Sequence, residues 1–274
     1  MEITPEVNPH LKRTIQLHNP SVISLAVVTN KQQLIREIVK TVRARRGNSE
    51  ASKRWLEKQL SGISGRYTLQ KLSPLHLAIV AWAPLDMLKL LIDLGHDVNL
   101  VNEVDRRLDP LMLAANLGDV ETCRILVANG AHLDMVTRSS TVLAPMHPIH
   151  AAAMGNHIEV VRYFVQEAGV SPDIQFTPGF GETPLHVATH RGYFSLVKVL
   201  VEELHANYDA ANSQDNHKPY TIALQFHRVE IAAYLKSLYE RDNRTLPTLS
   251  DVLPIGARPP SPPVYTAPEH RREL

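Results

Sequence analysis

The chain has 274 residues, 44% of them apolar and 21% charged, so it can fold, either as two compact domains or as one extended array. Its 29 basic residues stand against 28 acidic ones, which leaves no long-range field to gather phosphate backbones and argues against a nucleic-acid partner. No apolar run approaches bilayer length, which argues against a membrane role, and the lone cysteine, Cys123, excludes an internal disulfide framework.

Residues 1–18 form an N-terminal segment that opens MEITPEVNPH, without the basic and apolar regions of a secretory leader. The cytosol is the expected compartment, with the nucleus as the second choice. Residues 19–42 carry two short apolar runs at helical spacing, Val22 to Val28 and Leu34 to Val39, separated by a polar break. They read as a degenerate first helix pair. Residues 43–70 read as a basic insert with Arg43, Arg45, Arg46, Lys53 and Arg54. Glu50 and Glu57 interrupt its charge, so a solvated loop competes with an import signal or a phosphate-binding patch.

From residue 71 to 242 the sequence repeats. The segments Ser73-Pro74-Leu75-His76-Leu77-Ala78, Asp109-Pro110-Leu111-Met112-Leu113-Ala114, His147-Pro148-Ile149-His150-Ala151-Ala152 and Thr183-Pro184-Leu185-His186-Val187-Ala188 align on their prolines, and Lys218-Pro219-Tyr220-Thr221-Ile222-Ala223 is a weaker fifth copy. The prolines are spaced by 36, 38, 36 and 35 residues, so each unit is one supersecondary motif with small loop insertions. Proline suits the first helical turn, where its missing N–H has no partner to lose. The alanine four residues on lets neighbouring backbones approach. After a break a second amphipathic run follows, such as Val120 to Val127 or Ile158 to Val165. The break carries Gly118, Asn156 and Gly192 in the second to fourth units, residues that tolerate positive φ, and Gly95, Gly130 and Gly169 close second helices.

Residues 243–274 form a Pro-rich tail with seven prolines from Pro247 to Pro268, which cannot continue helical packing and is expected to be disordered. Within it Pro262-Pro263-Val264-Tyr265 has the Pro-Pro-x-Tyr form and resembles a WW-domain ligand, in which a polyproline II turn offers proline and tyrosine rings to an aromatic groove. An inert tail is the competing reading. Ser261, before Pro262, is a candidate site for a phosphate that tunes this contact.

The units resemble the ankyrin repeat, through the Thr-Pro-Leu-His-type opening, the helix pair and endings such as Gly95-His96-Asp97-Val98-Asn99, over residues 71–240. Departures are Trp82 and His227 in the glycine slot, His205-Ala206-Asn207 in place of a Gly-Ala-Asp ending, and the missing Leu-His pair of the fifth copy, read as a C-terminal cap. The resemblance implies an all-α fold, an α-solenoid of about five to six ankyrin-type helix-loop-helix repeats. It also implies that His76, His150 and His186 hydrogen-bond loop backbone.

The same resemblance implies partner binding on a concave side lined by inter-repeat loops and first helices. Rigid aromatic and arginine side chains anchor such surfaces, which selects Leu100, Arg106, Arg107, Met135, Arg138, Phe176, Phe180 and Tyr208 as candidate contacts. The pairs His147/His150 and His186/His190 have ligand-like spacing, but Val187-Ala188-Thr189 between the latter lacks the glutamate of a metalloprotease helix. No metal or cofactor is expected, no catalytic constellation is present, and Cys123 reads as a buried free thiol. The expected function is a non-catalytic adaptor with protein partners, one of them of the WW class. The alternatives are a regulatory subunit of an enzyme and a secreted microbial ankyrin effector.

Overall fold

The computed structural model describes residues 2–3, 15–16, 26–27, 29–46, 73–101, 109–134, 146–175, 181–213 and 216–248. All five aligned prolines open helices. The first helices are α2 (Pro74–Val80), α4 (Pro110–Leu117), α6 (Pro148–Met154), α8 (Pro184–Arg191) and α10 (Pro219–Gln225). Each is followed by a second helix: α3 (Leu85–Asp93), α5 (Val120–Ala128), α7 (Ile158–Arg162), α9 (Phe194–Lys198) and α11 (Val229–Arg241). The fold is an all-α repeat fold. A two-residue antiparallel pair, β1 (Glu2–Ile3) with β2 (Ile15–Gln16), lies in the N-terminal segment.

The alanines four residues after each proline, Ala78, Ala114, Ala152, Ala188 and Ala223, are fully buried. Their backbone closes the break that follows. The N–H of the fifth residue on returns to the alanine carbonyl, from Ala83 to Ala78, His157 to Ala152, Tyr193 to Ala188 and Arg228 to Ala223, at 2.8 to 3.0 Å. That bond requires a left-handed residue just before the donor, the Schellman geometry. Gly192 and Asn156 supply it at φ 81° and 58°, but so do Trp82 at 51° and His227 at 53°, residues that pay steric strain there. Position in the unit therefore overrides residue preference. Ahead of the repeats, Lys31 N–H bonds Ala26 O at 2.7 Å with Asn30 at φ 54°, and α1 (Gln32–Arg46) starts two residues after Asn30, as α7 does after Asn156. The break at Asn30 thus has the backbone geometry of the breaks in the later units. The helix runs to Arg46 and so includes Arg43, Arg45 and Arg46.

Two compact units divide the described residues, the first holding those up to Ala114 with Glu121–His132, the second Ala115–Val120 with those from Leu133 onward. In the first the core is built on Leu75, Ile79, Met87, Leu91, Leu111 and Leu126, with Cys123 buried among them. Asn99 bridges two of its loops, donating to Gly130 O at 3.0 Å and accepting from His132 N–H at 2.9 Å. In the second the core comprises Ile149, Val161, Phe164, Leu185, Val197, Leu200, Ile222 and Leu235. From Ile158 to Gly169 the chain is one residue longer than from Val120 to Gly130, and the surplus is taken up as a π turn, Tyr163–Glu167. A second π turn, Val199–Glu203, extends α9. Such bulges absorb a single inserted residue without breaking the helix.

Candidate recognition surface

The histidines of the third and fourth openings are structural fasteners. At the start of α8, His186 Nδ1 accepts from the Thr183 N–H at 3.1 Å, so its proton sits on Nε2, which donates to His217 O at 3.0 Å. His150 Nε2 donates in the same way to Glu182 O at 3.1 Å. In each case the acceptor lies two residues before the next unit's proline. Burial holds His150 neutral, with its pKa lowered to about 3, and His147 adds to the effect. Where the second unit has Met112 in place of histidine, the buried Asp109 caps the helix by accepting from Met112 N–H at 2.7 Å. Burial raises its pKa to about 6.

A second ladder joins the helix ends. In the third to fifth units the residue after the left-handed position reaches back to a carbonyl in the last turn of the preceding first helix: His157 to Asn116 O at 2.9 Å, Tyr193 to Met154 O at 3.3 Å, and Arg228, through Nε and Nη2, to His190 O at 3.2 and 2.9 Å. Imidazole, phenol and guanidinium thus do one job, satisfying a carbonyl that a helix C-terminus leaves without an intrahelical partner. Glycine makes room for two of them, His157 and Arg228. A methyl group at Gly118 would lie 2.4 Å from His157 Nδ1, and one at Gly192 would lie 3.1 Å from Arg228 Cδ.

This ladder brings the last turns of α6, α8 and α10 into one row at the surface of the second unit. Met154, His190, Arg191 and Gln225 are half-buried, and Phe226 is 40% exposed with its ring edge-on to His190, centroids 4.2 Å apart. Ala152, Ala188 and Ala223 lie buried beneath them.

The two described residues selected from sequence, Leu100 and Tyr208, are not on this row. Arg106, Arg107, Met135, Arg138, Phe176, Phe180, Pro262, Pro263 and Tyr265 lie outside the described residues. Leu100 is half-buried in its loop, its N–H bonded to Asp97 O. Tyr208 requires a correction: it is 9% exposed, its ring packs edge-on against Tyr239 at 5.1 Å, and its hydroxyl bonds Asp242. Beside it Asp209 accepts from Tyr239 at 2.6 Å and pairs with Lys218 at 2.7 Å and Arg244 at 3.1 Å. Tyr208 therefore belongs to a polar cluster that ties the last loop to α11, and its ring is turned away from solvent. The row itself escaped sequence reasoning, which looked for anchors in the loops. Its signal is large or charged residues at the eighth and ninth places of the openings, Met154, His190, Arg191 and Phe226.

A family model described as ankyrin repeats matches residues 42–137, 75–176, 111–206 and 149–245. The chain belongs to the ankyrin-repeat family. Among curated proteins it is 28% identical over 119 residues to the ankyrin repeat and KH domain-containing protein mask-1 of Caenorhabditis elegans, covering 43% of this chain and 4% of that one. It is 32% identical over 114 residues to a transient receptor potential cation channel subfamily A member 1 homolog of the same organism, covering 42% and 8%. It is 27% identical over 148 residues to the putative palmitoyltransferase ZDHHC13 of Danio rerio, covering 53% and 21%. The chain thus spans about a fifth or less of the length of these relatives. The palmitoyltransferases are enzymes, but the similarity is confined to their ankyrin region. Ankyrin repeats are in general scaffolds for protein–protein interaction. Among the described residues no helix is long and apolar enough to cross a membrane.

Proposed function

We propose that the chain is a non-catalytic adaptor of the cytosol or nucleus. Its ankyrin repeats hold a partner protein on the face formed by the first-helix ends and the inter-repeat loops, and the Pro262-Pro263-Val264-Tyr265 tail recruits a WW-domain protein such as a ubiquitin ligase. The observation that carries the first half is register. Met154, His190 and Gln225 stand at the eighth place of three consecutive openings, with Arg191 and Phe226 at the ninth place of the last two, beside the ladder of His157, Tyr193 and Arg228. A surface fixed in this way loses little entropy when it binds, and half-exposed aromatic and arginine side chains are the usual anchors. Joining two binding elements in one chain raises the effective concentration of their partners without new chemistry.

Photo-crosslinking in the native cell tests the first half, with a photoreactive residue at Met154 or Phe226 of the full chain and a control at Lys236 on α11. Crosslinks to one protein from the first two positions and not from the control support the reading, and the reverse pattern overturns it. The second half is tested by pull-down with residues 249–274 removed and with Tyr265→Ala. The same partners in all three samples would eliminate the WW element. The palmitoyltransferase relatives favour one further reading, in which the array presents substrates to an enzyme. Capture of a transferase by the same crosslinks would support it.

A further inference from the structure

We infer that the row on α6, α8 and α10 takes an acidic segment of a protein partner, an apolar or aromatic residue flanked by carboxylates. The inference rests on the adaptor reading of the same face and adds the chemistry of the occupant. Its first ground is charge. His190 and Arg191 close α8, and His227 and Arg228 follow α10, so two consecutive units each place an imidazole and a guanidinium in the same turn. Arg228 lies against α8 through its bonds to the His190 carbonyl, and Arg191 is the next residue in that helix. The acidic residues of the neighbouring second helices have basic or phenolic partners there: Glu159 and Glu203 with Arg162, and Glu202 with Lys198 and Tyr234. Glu230, in the first turn of α11, is the acidic neighbour of Arg228 in sequence.

The second ground is geometry. Arg228 spends two of its five N–H groups on the His190 carbonyl, so its charge is fixed at the surface instead of sweeping through solvent. Phe226 lies against the His190 ring, 40% exposed, and Met154 lies one unit further along the row. A positioned cation beside a half-open aromatic ring matches a carboxylate next to an apolar side chain. An extended anion such as single-stranded nucleic acid fits less well, because the chain as a whole carries a formal charge of only +1 and provides no long basic track.

The test uses the full chain and a fluorescein-labelled peptide of repeated Glu-Asp-Phe units, with the Gln-Asn-Phe peptide as control, read by fluorescence anisotropy. The acidic peptide is expected to bind saturably, to weaken as salt is raised, and to bind about tenfold more weakly to Arg191→Gln and to Phe226→Ala, both checked as folded by circular dichroism. Equal binding of the two peptides, binding of neither, or no effect of both variants overturns the inference. So does displacement of the acidic peptide by a single-stranded oligonucleotide at lower concentration than by unlabelled acidic peptide. Crosslinks from Met154 and Phe226 to a cellular protein that persist undiminished in Arg191→Gln would leave the adaptor reading standing and remove only the acidic preference.

Discussion

Mild acid should loosen the second unit through His150, and the size of the effect follows from where its ring sits. His150 is fully buried with Nε2 bonded to Glu182 O, and its native pKa is lowered from the usual 6.5 to about 3. A histidine held neutral contributes stability that is complete above pH 6.5 and is lost as pH falls toward the native value, because the unfolded chain then binds a proton that the native state refuses. At pH 5 the loss is about 2 kcal/mol, the pH interval below 6.5 multiplied by about 1.4 kcal/mol per unit. In the first unit His96, lowered to about 4 by burial and then by His76, loses a similar amount. There Asp109 works against it. Its native pKa of about 6 lets the folded carboxyl take a proton before the unfolded one, which returns about 1 kcal/mol over the same range. Urea unfolding followed by circular dichroism, at pH 7 and pH 5, on the natural chain and on His150→Gln measures the difference. Glutamine keeps an N–H for Glu182 O and cannot titrate, so the variant should lose about 2 kcal/mol less than the natural chain between the two pH values. An equal loss in both proteins would refute the reasoning.

Other expectations follow from the repeat geometry. Gly118→Ala should destabilise by about 2–3 kcal/mol in urea unfolding, since φ 79° strains a Cβ that would also strike His157. His205→Gly should stabilise by about 1 kcal/mol and raise Tm, because His205 is exposed at φ 57° and its strain brings no packing in return. Tyr193→Phe removes the 3.3 Å bond to Met154 O and should lower the urea midpoint by the equivalent of about 0.5–1 kcal/mol with the fold kept. Ala188→Leu, at a fully buried contact, should cost about 1–3 kcal/mol by overpacking, read as a fall in Tm.

The parts of the fold that were legible in the sequence are those set by contacts within one unit. Proline at a helix start, alanine one turn on and a residue tolerant of positive φ at the break are local requirements, and they mark Pro74 to Pro219 without ambiguity. Trp82, His205 and His227 were legible as departures but not as strained residues, because their left-handed backbone is imposed by the packed unit against their own preference. Tyr208 was misread for a related reason. A loop tyrosine beside an aspartate gives no hint that Tyr239, Asp242 and Arg244, some thirty residues later, will enclose it. The recognition row was missed because its support is non-local too. His157, Tyr193 and Arg228 share no chemistry in the sequence, and only their common acceptor shows that they hold equivalent places.

That interchange of side chains bears on how such a chain acquires a binding face. The ladder needs only a donor of suitable reach, so His, Tyr and Arg all serve, and a change among them leaves the preceding carbonyl satisfied. The buried alanine beneath cannot vary in the same way, because neighbouring first helices meet there. The two positions at the last helical turn lie between these constraints, beside the alanine and the ladder. Met154, His190, Arg191 and Phe226 stay half-exposed there, with the Phe226 ring against His190. On the adaptor reading, the specificity of the molecule lies in the turn ends of α6, α8 and α10, while the helix pairs below hold them in line.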